Sequence, residues 1–333
     1  MRVMGGMCRK RRTFTGVIVL PIFRRPKKTA IPVGKPIASI SLIVLLFLSG
    51  FTATAQISLL KTKLETIAAA HRATIGLSIS GPEKGDTLTM NGNRYFPMQS
   101  VYKFQVALAI LHLVDEGKLS VDQKIRIRKA DLRTDTWSPI QEKYPKGNID
   151  MPLAELLGYT ISQSDNNGCD ILIRLAGGTA QVDRYIHSLG IQNMAIAATE
   201  AQMATAWKVQ FTNRSTPRAM AALLQLFYNG KILSAKSNAL LMQLLTETST
   251  GPKRLKGLLP AGTVVAHKTG TSDTNDAGIT AATNDVGFIT LPNGKVFTIV
   301  VFITNSHEGV TANEQIIAEV AKAAWDYFTG MRN

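Results

Sequence analysis

The chain has 333 residues, 45% of them hydrophobic and 18% charged, which is enough apolar material for one large domain or two packed closely together. Its net charge of +15 is unevenly placed: ten of the 38 basic residues and none of the 23 acidic ones fall within residues 1–55, leaving 28 against 23 in the remainder. That remainder is an ordinary protein surface and gives no ground for a nucleic-acid partner.

The basic leader has its own reading. Arg24, Arg25, Lys27, Lys28 and Lys35 precede an apolar run from Ile37 to Phe51, followed by Ala53-Thr54-Ala55, a small-x-small cleavage signal. Residues 1–55 are therefore expected to be a secretory signal peptide with a long basic n-region, cut between Ala55 and Gln56. The mature protein is expected in the periplasm, as a monomer without a membrane anchor, since no other stretch approaches the length of a span. Cys8 belongs to the leader and Cys169 stands alone in an apolar stretch, so neither an intrachain disulfide nor a catalytic thiol is expected. No His, Cys or carboxylate group has metal-ligand spacing, and neither metal nor cofactor is expected.

Helical periodicity runs from Ile57 to Ala73 through Leu59, Leu60, Leu64 and Ile67. Thr74–Ser80 then reads as a strand ending at Gly81-Pro82, with Thr87–Met90 returning antiparallel. Ser100 heads a helix running to Val114 that is apolar almost throughout. Lys103 is its odd residue. Val106, Ala107 and Ile110 lie along its face, so the ammonium needs partners, because an unpaired buried charge costs about several kcal/mol. Ser100, three residues back, places a hydroxyl one turn away on the same side, at a helix start that favours developing negative charge.

A polar stretch from Gly117 to Asn148 follows, with Trp137 just before Ser138-Pro139. Helices are predicted over Pro152–Ser162, Cys169–Ala176 and Ala180–Leu189, after which the pattern fails from Gly190 to Pro217. An irregular stretch that long inside a domain is more often functional than not. Helices return at Pro217–Asn229 and Ser234–Thr246, and a strand over Thr263–His267 runs into Lys268-Thr269-Gly270. Val286–Leu291 and Lys295–Thr304 form a hairpin across Pro292-Asn293-Gly294, and Thr311–Phe328 is a closing helix. This order predicts an α/β (α+β) fold: an antiparallel sheet built from both chain ends and flanked by helices, residues 56–98 and 247–333, with an all-helical domain inserted, residues 99–246.

Ser-x-x-Lys alone is a weak pattern, and Ser58-Leu59-Leu60-Lys61 is a second copy of it. Ser164-Asp165-Asn166 sits at a helix junction, where a capping turn is the ordinary reading. Lys268-Thr269-Gly270-Thr271-Ser272 lies on a strand, where Gly270 permits close approach of a substrate backbone and the lysine and hydroxyls suit a carboxylate. The three motifs in this order are the set found in class A β-lactamases and penicillin-binding proteins.

From Gln56 to Asn333 the chain resembles the class A serine β-lactamases, most closely the extended-spectrum and cephalosporinase branch of PER and VEB type. The resemblance implies that Ser100 is the nucleophile, Lys103 its proton partner, and Ser164 the relay to the departing lactam nitrogen. It implies that Asn166 binds the substrate's side-chain amide and that Lys268, Thr269 and Thr271, with Gly270 and Ser272 beside them, hold its carboxylate. The backbone N–H groups of Ser100 and Thr271 would form the oxyanion hole. Glu200, in an omega loop over about 195–216, would activate the deacylating water.

Whether Glu200 or Lys103 takes the proton during acylation is left open by the sequence. Trp137 would wall the cavity mouth, and Arg254 would replace the arginine that many members carry on the next strand. The usual loop braces, an Arg-Asp pair and an Asn, read Ala198, Asn213 and Ala204 here, and Asp170 stands where an Asn is usual, so the loop must be held differently. The substrates implied are cephalosporins and penicillins. A penicillin-binding DD-peptidase shares the three motifs, and Glu200, the small size and the expected lack of a membrane anchor argue against it. A β-lactam sensor that stays acylated is the other alternative, and such sensors usually sit on transmembrane signalling segments, which are not expected here.

Overall fold

The computed structural model describes residues 57–330 apart from Lys84, together with residues 16, 19, 21 and 22. The expected leader and its cleavage site otherwise lie outside the described residues. Among the described residues, all the secondary structure lies within Gly50–Asn333.

Helix α1 spans 57–69 and leads into strands β1 (Thr74–Ser80), β2 (Thr87–Met90) and the two-residue β3 (Phe96–Pro97). A 3-10 turn, Gln99–Tyr102, carries Ser100 and runs into α2 (Lys103–Asp115), so Ser100 sits one turn before the helix expected to begin at it. The polar stretch that follows has more structure than its composition suggests. It contains a hairpin of β4 (Lys124–Ile127) and β5 (Ile149–Pro152) and a short helix α3 (Pro139–Lys143). Ser138 accepts a hydrogen bond from the Gln141 N–H and Pro139 opens the helix, a capping signature readable in the sequence.

Three helices follow, α4 (Leu153–Ser162), α5 (Asn166–Leu175) and α6 (Thr179–Ser188). The expected irregular region holds β6 (Met194–Ala195), a four-residue helix α7 (Glu200–Met203), a 3-10 turn at Trp207–Phe211 and β7 (Arg214–Ser215). Helices α8 (Pro217–Tyr228) and α9 (Ala235–Thr246) precede β8 (Val265–Thr271), β9 (Thr283–Thr290), β10 (Val296–Thr304) and α10 (Val310–Thr329).

The main sheet has the order β2-β1-β10-β9-β8, antiparallel at every pairing, so strands from the two ends of the chain lie side by side. Its central strands are buried along nearly their whole length. One face packs on α1 and α10 around Leu64, Ile299, Ile317 and Trp325. The other joins a helical core centred on α2, whose residues from Lys103 to Leu111 are all buried. Gly270 on β8 sets the approach between these parts. A Cβ there would stand 2.3 Å from the Met98 carbonyl oxygen, so glycine lets the β8 edge pack on the turn that carries Ser100. The close approach expected of a substrate backbone is, in the first instance, that of the protein's own chain.

Candidate active site

Among the described residues only five non-glycine residues have positive φ, and three are Asn, which tolerates the left-handed region. The other two are Gln99 (φ 48°) and Ser164 (φ 60°), and both border one cavity. Backbone strain of this kind costs about 1–3 kcal/mol per residue and survives where the surroundings enforce it. Here they do: Asn284 donates to the carbonyls of Pro97 and Met98, and the Gln99 side chain donates to Gln210 at 3.2 Å.

The cavity has a volume of about 810 Å³ and is bordered by Ser100, Ser164, Asn166, Glu200, Thr269 and Thr271. The Lys103 side chain is fully buried. Its ammonium donates to Ser100 Oγ at 2.7 Å and Asn166 Oδ1 at 2.6 Å, and its Nζ lies 2.7 Å from Glu200 Oε1. The last is a charge contact whose angle is not that of a hydrogen bond, which leaves Oε1 a lone pair unused. Two hydrogen-bond acceptors and one carboxylate in charge contact surround Nζ, an environment suited to an ammonium. The partners that sequence reasoning required for Lys103 are therefore present, from a turn, a helix start and a loop.

Lys268, also fully buried, donates to Ser164 Oγ at 2.9 Å and to the Thr269 carbonyl. Burial pushes its ammonium well below the usual lysine range and Lys103 adds to that, while Asp285 and Glu200 pull it back up. Asp165 caps α5 through the Gly168 N–H and also accepts from Ser138 and the Ile140 N–H, which locks the turn presenting Ser164 and Asn166. Asn166 Nδ2 donates to Thr136 Oγ1, fixing the orientation of its amide.

Trp137 is 57% exposed at the cavity wall, held by its indole N–H to the Gln163 carbonyl. Arg254 does not stand free in the cavity. It is 4% exposed, packed behind β8, and donates to Thr271 Oγ1 at 2.7 Å, to the carbonyls of Gly270 and Asn284, and to Glu314. Thr271 and Ser272 border the cavity in front of it. Ser58, the second Ser-x-x-Lys serine, lies on α1 and is exposed.

The loop carrying Glu200 is held by two side chains that bond to backbone. Asp170 on α5 accepts from the Glu200 N–H at 2.7 Å and the Ala201 N–H at 3.0 Å, one carboxylate oxygen each, which caps α7 from outside. Asn213, fully buried, accepts from the N–H groups of Ala197 and Ala198 and donates to the Ala198 carbonyl. The two departures noted in the sequence are thus the braces themselves. Sequence reasoning missed Thr250, whose hydroxyl lies 2.6 Å from that of Thr269, and the Gln99–Gln210 pair; neither has a local pattern that could have revealed it.

Residues 59–328 match the Beta-lactamase enzyme family. The chain belongs to that family. Beta-lactamase VEB-1 of Pseudomonas aeruginosa is 46% identical over 88% of this chain and 99% of its own length. Extended-spectrum beta-lactamase PER-1 of Pseudomonas aeruginosa is 43% identical over 88% of this chain and 95% of its own. Among solved structures, the TLA-3 extended-spectrum beta-lactamase superposes with a TM-score of 0.81 at 50% identity, covering 83% of this chain and 99% of that one. A beta-lactamase from Chitinophaga pinensis DSM 2588 gives 0.79 at 54% identity, covering 80% and 98%. The protein is a class A serine β-lactamase, and the mixed antiparallel fold expected from the sequence is that of its class A neighbours.

Proposed function

We propose that the enzyme opens the β-lactam ring of cephalosporins and penicillins through an ester on Ser100, and that the cluster of Ser100, Lys103, Asn166 and Glu200 carries both halves of the reaction. The single observation behind this is the Lys103 ammonium, which touches the nucleophile on one side and Glu200 on the other. An ammonium has no lone pair to serve as base. Glu200 is then the base and Lys103 the bridge: the Ser100 proton leaves toward Lys103 as a Lys103 proton moves to Glu200 Oε1, and Ser100 Oγ bonds to the lactam carbon.

The backbone N–H groups of Ser100 and Thr271 stabilise the oxyanion. When the C–N bond breaks, the nitrogen takes the proton of Ser164, whose hydroxyl is resupplied beside Lys268. The proton taken up by Glu200 returns through Lys103 and replaces the one Ser164 gave to the nitrogen, which restores the carboxylate. In the second half Glu200 removes a proton from water, the water oxygen attacks the ester carbon, and Ser100 leaves with that same proton. Lys268 and the hydroxyls of Thr269 and Thr271 bind the substrate carboxylate, with Arg254 supplying charge through Thr271. Asn166 meets the side-chain amide, and Trp137 borders the bound side chain.

The same reading places the mature, monomeric enzyme in the periplasm after cleavage between Ala55 and Gln56, built from an α/β part (56–98, 247–333) and a helical part (99–246). Intact-mass analysis of the exported protein tests the cleavage. Mass spectrometry during incubation with a chromogenic cephalosporin tests the chemistry. A transient adduct with many turnovers is expected, whereas a persistent one-to-one adduct without turnover is the behaviour of a sensor and would sink the hydrolase reading.

A further inference from the structure

Behind the carboxylate-binding strand lies a polar pair that the reaction above does not use. His267 and Asp285 are both fully buried, and His267 Nδ1 lies 2.9 Å from each Asp285 oxygen. They stand on neighbouring strands, Asp285 opposite Thr269 and His267 opposite Gly287. Side chains alternate along a strand, so His267 and Lys268 point to opposite faces of β8.

The pair has room made for it. A Cβ on Gly287 would fall 2.7 Å from His267 Cα and 2.9 Å from its Cβ. The same carboxylate also accepts the Leu255 N–H at 3.2 Å, next to Arg254, and the His267 carbonyl accepts from Thr248. Asp285 thus ties β8 and β9 to the turn that presents Arg254.

We propose that His267–Asp285 is a positioning element of the substrate-carboxylate clamp, in which Asp285 supplies the buried negative charge that offsets Lys268, and His267 fixes that carboxylate in place. This rests on the hydrolase reading and on Lys268 and Arg254 as the clamp.

The pair carries one net negative charge. His267 Nε2 is buried without a partner. A neutral ring with its proton on Nδ1 leaves only a lone pair unmatched there, whereas an imidazolium would leave a charged N–H unmatched, the costlier state. The charged groups facing Asp285 are His267, Lys268 and Lys256, and those facing Lys268 are Lys103, Arg254, Glu200 and Asp285. Lys268 therefore meets two cations and two carboxylates. Arg254 is itself paired with Glu314, so removing Asp285 leaves Glu200 as the one carboxylate facing Lys268, beside Lys103 and the Arg254–Glu314 pair.

The test compares Asp285→Asn with His267→Gln, which keeps a donor to Asp285 and keeps its charge. For a cephalosporin with a free ring carboxylate, D285N is expected to move the alkaline rise in KM down by about one pH unit, so that KM at the pH of the wild-type rise increases about fivefold, approaching about tenfold further up the alkaline limb. Its kcat should stay within about twofold, and H267Q should keep the limb within about 0.3 unit of wild type. The ester of the same cephalosporin, which offers the clamp no charge, should show no change of KM in either variant.

Equal shifts in D285N and H267Q, or the same KM change for the ester, would overturn the proposal. If D285N does not fold, the amide pair H267Q/D285N is assayed in its place. If neither charge-removing variant folds while H267Q does, the pair is architectural and the proposal fails. Absence of turnover by the wild-type enzyme would instead remove the hydrolase reading on which this one stands.

Discussion

The two halves of the reaction draw on differently built regions. The acylation corner, Ser100 with Lys103, is set by the core: α2 is buried from Lys103 to Leu111, β8 presses on the turn through Gly270, and Gln99 is held at positive φ. The deacylation corner is a loop with little core of its own, where Glu200 is placed by two hydrogen bonds to Asp170 and by the three that Asn213 makes with Ala197 and Ala198. A packed core fixes a nucleophile against most single changes, whereas a loop held by side chains bonding to backbone depends on those few residues. Water activation should therefore be the more easily damaged half.

Substitutions can press on that contrast. Ser100→Ala should have the largest effect, a fall of about 10⁶ in kcat, the scale of losing the nucleophile in a serine hydrolase. Steady-state hydrolysis of a chromogenic cephalosporin measures it, and the protein should remain folded. Asp170→Ala leaves two N–H groups at the start of α7 without an acceptor, at about 1–3 kcal/mol each where they stay buried. It should slow deacylation by about 10² while the rate of adduct formation changes little, and pre-steady-state kinetics separates the two. Equal losses in both steps would break the contrast.

Asn213→Ala should lower stability by about 3 kcal/mol, read from denaturant unfolding, because it removes three loop hydrogen bonds at a fully buried site. The smallest effect concerns pH. Burial lowers Lys268, so its protonated form is lost as pH rises, below the range of an exposed lysine. KM for carboxylate-bearing substrates should rise on the alkaline side while kcat holds. Because its folded value lies below its unfolded one, Lys268 contributes stability that is present above the ordinary lysine value and lost as pH falls through the folded value, so its charge works against folding at neutral pH.

Much of the fold was legible because its strands and helices are long and strongly patterned. Thr74–Ser80 and the closing hairpin read correctly from apolar runs ended by Gly-Pro and Pro-Asn-Gly. The β4–β5 hairpin was missed because Lys124-Ile125-Arg126-Ile127 alternates over only four residues and its partner lies beyond a long polar connection. At the site, the three motifs were legible as chemistry in one order. What could not be read was how they are held: Asp170 was visible as a departure, but its role depends on α5 packing against α7, a contact thirty residues apart in sequence. Arg254 was singled out from its distance to Lys268, yet its burial behind Thr271 is a property of the sheet edge alone.

The most direct measurement of the central claim is time-resolved mass spectrometry of Glu200→Gln with a cephalosporin, beside the wild type. The amide keeps the shape of the side chain and cannot take a proton from water. The expected result is an adduct on Ser100 that forms and then persists, its hydrolysis slowed by about 10²–10⁴, where the wild-type adduct is transient. An adduct cleared by E200Q at the wild-type rate would contradict Glu200 as the base for water, and with it the division of labour between the two corners.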